Sequence, residues 1–307
     1  DVEDAPGHRE DARRDQQRVA GEEEAGEEPG LGEDDDGEAD VADSLHEAVQ
    51  PPDLEALIAP IEVHYEAKDF AAAERGYAGV LKKYPTNYMV TLSWGDAALF
   101  DRRPQVALER YRAGQKLNPV DHRAPFYEGT ALFALGKIPE ALNAYARALA
   151  LRPHAEFVIE GIDARAQKLG VSVKTMPLLP QARVEATTDG YRIDVANVRW
   201  MPWGMCKAAW LGEPSARLIE GPHRLSMEEE RECLVQLLAV YLSSPDRKQK
   251  PDAQLEWLVR VQKAGLLDPF IVYELVARSK PHATLTIDER GLEGVQKYIR
   301  TFVFEKR

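Results

Sequence analysis

The chain has 307 residues and a formal net charge of −13, but most of that charge lies in its first fifty residues. Residues 1–50 contain 19 Asp and Glu against 4 Arg, so residues 51–307 hold 33 of the 52 acids and 35 of the 39 bases. This nearly neutral body has no basic surplus large enough to suggest nucleic acid, and we expect no nucleic-acid partner. No uncharged apolar run reaches about 18 residues, so we expect no membrane span.

The acidic segment, residues 1–50, has no aromatic residue and few large aliphatic ones. Such a composition cannot bury enough apolar surface to offset the entropy lost on ordering. We therefore predict a disordered tail. It is either a solubilising, self-repelling segment or an electrostatic arm that binds a basic partner or basic patches of the protein itself.

The start of the chain and its two cysteines bear on the compartment. The sequence begins without Met and without the hydrophobic core of a signal peptide, as expected of a processed or trimmed product. Cys206 and Cys233 are too few for a disulfide scaffold. They would pair in an exported protein and be two small buried side chains in a cytosolic one, and we favour the second interpretation. The expected location is the cytoplasm, with export left open.

Three columns of residues recur along the chain with a step of 34 positions. The columns are Tyr77, Tyr111 and Tyr145; Pro85, Pro119 and Pro153; Ala73, Ala107 and Ala141. A helical repeat of this length cannot bury its apolar face alone and must stack on its neighbours. The pattern predicts a mainly α fold, with a short superhelix and a concave face between about residues 53 and 153.

This segment resembles the tetratricopeptide repeat family over about a third of the chain. The three units lie at 54–87, 88–121 and 122–155. Gly95 and Gly129 provide the small residue that the family uses on the first helix, whereas the first unit has Ile61 there, as fits a terminal unit. Gly136 lies in the tight turn between two helices. An amphipathic segment at 156–169 is predicted to cap the third unit and to end at Gly170, which completes a solenoid over 51–170.

The resemblance implies that the first helix of each unit lines the concave face, which we call the groove. Helical spacing gives the predicted partner-binding residues. They are Ile58, Glu62, Tyr65, Met89, Leu92, Ser93, Asp96, Leu99, Arg123, Phe126, Tyr127, Thr130 and Phe133. Relatives that hold the C-terminal carboxylate of chaperones use several Lys, Arg and Asn side chains, whereas only Arg123 is basic here. We expect an amphipathic helix or an apolar extended segment, supplied by another protein, by the chain's own C-terminal domain or Pro-rich linker, or by a second copy.

Beyond Gly170 the helical period stops. We predict a linker at 171–181 and a small α+β domain at 182–307. Asp189-Gly190 between two β-type runs is a strong hairpin signal. The predicted strands, which form a small antiparallel sheet, lie at 183–195, 206–211 and 216–220. Four helices are predicted in this domain. The first starts at Ser226 with a capping box, the second spans 253–264, the third starts at Asp268 and the fourth spans 288–304.

The segment 200–206 packs two Trp, two Met and one Cys into seven residues. Exposed, it would form a second protein contact through Trp200 and Trp203, because tryptophan often dominates interface energy. The alternative, which we favour, is a loop folded into the join between the solenoid and the C-terminal domain.

The sequence contains no HExxH, GxGxxG, GxxxxGK[ST], GxSxG or CxxC motif. We therefore predict no catalytic, metal or cofactor site, and a non-enzymatic scaffold or adaptor that binds a partner polypeptide in the groove. Two alternatives stay open. One is an enzyme whose site lies in 182–307 and whose repeats recruit substrate, and the other is an assembly chaperone that shields a client. The oligomeric state is not determined.

Overall fold

The structure is a computed structural model that describes residues 50–212, 226–279 and 287–307. The tail predicted at 1–50 therefore lies almost wholly outside the described residues. The repeat region consists of helices packed in pairs, one pair in each 34-residue unit. They are α1 (Leu54–Glu66), α2 (Phe70–Lys83), α3 (Tyr88–Phe100), α4 (Pro104–Leu117), α5 (Arg123–Ala134) and α6 (Ile138–Leu151). The three-unit solenoid predicted from the sequence is confirmed.

The turn inside each unit contains one left-handed residue at the same repeat position. Lys68, Arg102 and Gly136 have φ angles of 60°, 59° and 72°. Glycine adopts this conformation freely, whereas a residue with a Cβ atom does so at a cost of roughly 1–2 kcal/mol. Gly136 therefore lies in the turn as predicted, and in the first two units the pairing of the helices imposes the same geometry on a less suited residue.

Close contacts between a glycine and a tyrosine fix the spacing of the two helices in a unit. A Cβ atom added to Gly95 would lie 2.5 Å from Cε1 of Tyr111, and one added to Gly129 would lie 2.6 Å from Cε1 of Tyr145. Both rings are fully buried. In the first unit the sizes are exchanged, since Ile61 on α1 packs against Gly76 on α2. The larger residue at position 61, where the other two units have glycine, is thus compensated by the smaller Gly76 on α2.

The edge of the third unit is covered by two short helices rather than by the single helix predicted at 156–169. They are α7 (Glu156–Asp163) and α8 (Ala166–Leu169). The chain leaves helical geometry at Arg165, with φ −106° and ψ 2°. The ring of Phe157 meets that of Phe126 edge-on with centroids 5.1 Å apart, so α7 covers the third unit as predicted. Gly170 ends α8 in the left-handed conformation, with φ 70°.

The remaining described elements follow in chain order. They are β1 (Val171–Val173), β2 (Ala182–Thr187), β3 (Gly190–Val195), α9 (Met201–Gly212), α10 (Met227–Ser243), α11 (Ala253–Lys263), α12 (Leu267–Phe270), α13 (Ala277–Ser279), α14 (Glu289–Tyr298) and β4 (Phe304–Lys306). A 3-10 turn precedes α9, and π-helical stretches join α12 to α13 and α14 to β4. The predicted helix starting at Ser226 is present, since the Ser226 side chain caps α10. The predicted helix at 253–264 is present as α11, which is followed by Gly265 with φ 69°.

The hairpin predicted around Asp189-Gly190 is confirmed. Strands β2 and β3 pair antiparallel from Ala182↔Val195 to Thr187↔Gly190, which leaves a two-residue loop. One face of the hairpin packs on α9, where a Cβ atom at Gly204 would lie 2.7 Å from Cγ2 of Ile193.

The strand predicted at 206–211 is wrong, because these residues lie inside α9. The strand predicted to pair with it, 216–220, lies outside the described residues. Asn197 accepts a hydrogen bond from the amide of Arg199 and starts the helical turn. Pro202 falls in the first turn of α9, where the missing amide hydrogen costs nothing. A run rich in Trp and Met therefore forms a helix rather than a strand or a loop.

The linker predicted at 171–181 begins with a strand instead. Strand β1 pairs antiparallel with β4, from Val171↔Lys306 to Val173↔Phe304. The helix predicted over 288–304 is present as α14 and the π-helical stretch Ile299–Val303 that continues it, and only its last residue, Phe304, is extended instead. Long-range backbone pairing, which no local pattern reveals, draws both segments into the ladder.

The C-terminal elements pack against the third unit. The described residues from 51 onward form one compact unit, and the core runs on from α6 into α14. At this junction His154 Nε2 lies 2.9 Å from the backbone oxygen of Tyr273, and Arg147 Nη1 forms an ion pair with Glu289 at 2.9 Å. The domain boundaries given above stay a prediction.

Cys206 and Cys233 form a disulfide that joins α9 to α10, with Cα atoms 5.3 Å apart. The favoured interpretation, two separate buried thiols, is therefore wrong. Sequence separation gave no indication of this pairing, because it depends on α9 being a helix that runs beside α10.

Candidate functional site

The predicted groove residues fall into two classes of exposure. The residues of the first class are half-buried, namely Ile58, Glu62, Tyr65, Met89, Ser93, Asp96, Leu99, Arg123, Tyr127, Thr130 and Phe133. Leu92 and Phe126, in contrast, are 2% and 0% exposed and belong to the core. Leu92 fills the space left by Gly114, and Phe126 lies beneath Gly161 and Phe157 of α7. These two side chains hold the stack together and do not reach the surface of the groove.

The repeating tyrosines anchor one row of groove residues. The hydroxyl of Tyr77 donates to Glu62 at 2.9 Å, and that of Tyr111 donates to Asp96 at 2.6 Å. In the third unit the hydroxyl groups of Tyr145 and Thr130 are 3.3 Å apart. Glu62, Asp96 and Thr130 occupy the same repeat position. Burial, and then the charge of Asp96, raises the pKa of Tyr111 well above its usual value, so the phenol stays a donor.

A second row of equivalent positions is apolar. Tyr65, Leu99 and Phe133 lie near the ends of the three first helices, and each keeps part of its side chain in solvent. Phe100, which the sequence analysis missed, extends this row and is 42% exposed. It lies 5.9 Å from the ring of Tyr65 and 6.0 Å from that of Phe70. The signal for Phe100 in the sequence is its place beside Leu99 in the last turn of α3.

The basic residue predicted in the groove is engaged in an ion pair. Arg123 Nη2 lies 2.6 Å from Oδ2 of Asp121, and the backbone amide of Arg123 donates to the same carboxylate at 2.8 Å. Burial favours the neutral acid, but the hydrogen bonds and charge of Arg123 hold the pKa of Asp121 down to about 2. The guanidinium also faces the ring of Tyr88 at 5.8 Å. The guanidinium of Arg123 is thus held by contacts within this chain, with Asp121 and Tyr88.

The two tryptophans predicted as a second contact differ in exposure. Trp200 is fully buried and cannot serve as a surface contact. Trp203 is half-buried, meets Trp200 edge-on at 6.1 Å, and has the ammonium of Lys207 5.3 Å from its ring. The segment belongs to a packed helix that contacts the hairpin.

Across 50–212, 226–279 and 287–307, no cluster of three or more His, Cys, Asp or Glu side chains has the geometry to hold a metal ion. Among the helices in those ranges, none combines the length and the apolarity needed to cross a bilayer.

Several solved structures are similar to this chain. The first TPR of Spaghetti (RPAP3) bound to the HSP90 peptide SRMEEVD is 23% identical and has a TM-score of 0.35, covering 37% of this chain and 90% of that chain. The Yersinia enterocolitica type III secretion chaperone SycD, in complex with a peptide of the translocator YopD, is 16% identical with a TM-score of 0.35, covering 40% and 92%. A crystal structure of MamA is 15% identical with a TM-score of 0.33, covering 81% and 94%.

No family model and no curated protein matches the chain. The repeat region is therefore characterised by its own geometry. Its three units share one step of 34 residues, one left-handed turn position and one row of buried tyrosines. Residues 54–155 of this chain form a tetratricopeptide-like solenoid.

Proposed function

We propose that the protein is an interaction adaptor that holds a segment of a partner polypeptide in the groove. The observation that carries this proposal is the row of partly exposed apolar side chains at one repeat position, Tyr65, Leu99 and Phe133, which Phe100 extends. Contiguous apolar surface rimmed by polar residues is typical of a protein-binding site. A segment lying along the first helices would bury these side chains.

The charges along the groove indicate the chemistry of that segment. Carboxylates lie over the first two units, at Glu62 and Asp96, and a hydroxyl, Thr130, takes the same position in the third. Arg123 is fixed by Asp121 and adds little free positive charge. The partner segment has apolar anchors and a basic residue that lies over the first two units. An amphipathic helix and an extended strand both meet this requirement.

The apolar row is tested by changing Leu99 and Phe133 together to Glu. Each fully buried apolar side chain contributes about 1.5–3 kcal/mol, so the double variant should bind its partner at least about 100-fold more weakly. Partners retained by the full chain are identified by mass spectrometry, and the affinity of each purified partner is then measured by calorimetry.

The matched control is Leu117→Glu, which places the same charge at an exposed apolar position on a second helix, α4. It should bind the partner as the wild type does. Leu99 and Phe133 also pack in part against the core, so thermal unfolding is measured to check that each variant is folded at the temperature of the binding experiment. Wild-type affinity in the double Glu variant would contradict the proposal.

The carboxylates are tested by Glu62→Gln with Asp96→Asn. The amide oxygens still accept hydrogen bonds from Tyr77 and Tyr111, so the fold should be retained while the two charges are removed. We expect about tenfold weaker binding at low salt and a shallower dependence of affinity on salt concentration. An unchanged salt dependence would show that the basic residue of the partner lies elsewhere.

A further inference from the structure

A second apolar surface lies far along the chain from the groove, between the start of α9 and the end of α10. A cleft of about 350 Å³ opens there, with residues 198–202 on one side and 240–246 on the other. Val198 is 76% exposed and Val240 is 55% exposed, and the half-buried Met201 and Pro202 complete the apolar lining. This volume lies at the lower end of the range of ligand pockets, which fits one or two side chains rather than a whole helix.

The walls of the cleft are held in place by covalent and ionic links. The Cys206–Cys233 disulfide joins the two helices that form them. Arg199 Nη2 bonds Asp246 Oδ2 at 2.8 Å, which connects the two sides directly. A site formed in advance costs a partner little ordering entropy, so a small contact area can still give measurable affinity.

The rim of the cleft carries positive charge. The turn that follows α10 forms part of one wall through Ser244 and Asp246. The exposed Lys248 and Lys250 do not line the cleft but lie in the same turn, where the amide of Lys250 donates to the backbone oxygen of Asp246 at 2.9 Å. The charge of Asp246 is balanced by Arg199, and two hydrogen bonds join Arg247 to Glu256 at 2.7 and 2.8 Å. In the part of the chain that the structure describes, the two lysines form no ion pair. Asp252, which accepts a hydrogen bond from Asn197 and caps α11, offsets one of the two lysines, so the surplus beside the cleft is one positive charge.

We propose that this cleft docks an acidic segment of a partner protein. One bulky apolar side chain enters between Val198 and Val240, and neighbouring carboxylates lie against Lys248 and Lys250. The apolar lining supplies affinity, and the lysines select segments with acidic residues next to the anchor. The site is separate from the groove, so the protein has two docking surfaces with opposite charge preferences.

The experiment selects binders from a random-peptide display library on the full chain. Selected peptides should share an aromatic or large aliphatic residue flanked by Asp or Glu. Val198→Glu with Val240→Glu should weaken their binding about tenfold or more, as should Lys248→Glu with Lys250→Glu. The matched control, Val63→Glu, alters an exposed valine on α1 and should leave binding unchanged. Urea unfolding checks that every variant folds.

Several outcomes would overturn the proposal. The first is that the variant with Val198→Glu and Val240→Glu binds the selected peptides as tightly as the wild type does. The second is that the selected peptides share no acidic consensus. Loss of binding in the Leu99→Glu, Phe133→Glu protein would place the peptides in the groove instead. A wild-type dimer that Val240→Glu converts to a monomer in light scattering would make this face an interface between copies. If the groove proposal fails, the result for the cleft still stands, because the variants that test the groove and those that test the cleft share no residue.

Discussion

The contact between Gly95 and Tyr111 makes a quantitative prediction about the stability of the solenoid. In Gly95→Ala the new Cβ atom would lie 2.5 Å from Cε1 and 2.8 Å from Cδ1 of a ring that is fully buried. The ring cannot swing away, because its hydroxyl group is bonded to Asp96 on the same helix as Gly95. The two helices must separate instead, and overpacking of this kind costs about 1–3 kcal/mol.

The control for this variant is Gly79→Ala in α2. A Cβ atom at Gly79 meets nothing within 4 Å, so the alanine should stabilise the protein by about 0.5–1 kcal/mol through helix propensity alone. The same propensity gain is present in Gly95→Ala. The difference between the two variants therefore isolates the steric clash, and we expect it to be about 1–3 kcal/mol.

The measurement is urea unfolding of the full chain followed by far-ultraviolet circular dichroism. Gly95→Ala should unfold at a lower urea concentration than Gly79→Ala, with the same dependence on denaturant. Two further variants, Tyr111→Leu alone and Gly95→Ala with Tyr111→Leu, complete a double-mutant cycle. The coupling energy should be favourable, since the ring that clashes is absent from the double variant. If Gly95→Ala stabilised the protein as much as Gly79→Ala does, the role assigned to the glycine would be wrong.

Two other perturbations test particular links. Arg123→Met should cost about 3 kcal/mol at neutral pH, because it removes the guanidinium that pairs with the buried Asp121 carboxylate. Against the effect of burial, Arg123 holds the pKa of Asp121 at about 2, below the 3.8 of an unperturbed Asp, so this stability is present above about pH 4 and lost toward pH 2. The deficit of the variant should shrink over that range in urea titrations, and a constant deficit would contradict the pairing. Reducing the Cys206–Cys233 disulfide, which spans 27 positions, should cost about 3.5 kcal/mol, and no change in the unfolding temperature would show that the bond adds no stability.

The repeat region was predictable because its determinants are local. Gly129 and Tyr145 lie close in the chain, and their contact recurs between Gly95 and Tyr111, so the periodicity alone gives the helix pairs and their order. The hairpin was equally accessible, since Gly190 marks a turn between two short β-type runs. In each case one short segment contains both halves of the interaction.

The errors concern contacts between distant segments. Spacing placed Leu92 and Phe126 on the face of the groove, but only the neighbouring helices decide whether such a face is covered. Residues 171–173 and 304–306 are strands because they pair with each other, and neither segment has a local pattern that indicates a strand. The helix at 201–212 was missed because Pro202 and Gly204 obscure its period, although both suit their positions.

The ladder of β1 with β4 has a consequence for the order in which the molecule folds. Inside the solenoid, the tyrosine hydroxyl bonds join residues 15 positions apart, whereas Lys174 and Glu305 beside the ladder are 131 positions apart and lie 3.0 Å from each other. Closing so long a loop is slow compared with pairing adjacent helices. The repeats should reach native structure early, and the ladder should form last, after the solenoid is complete.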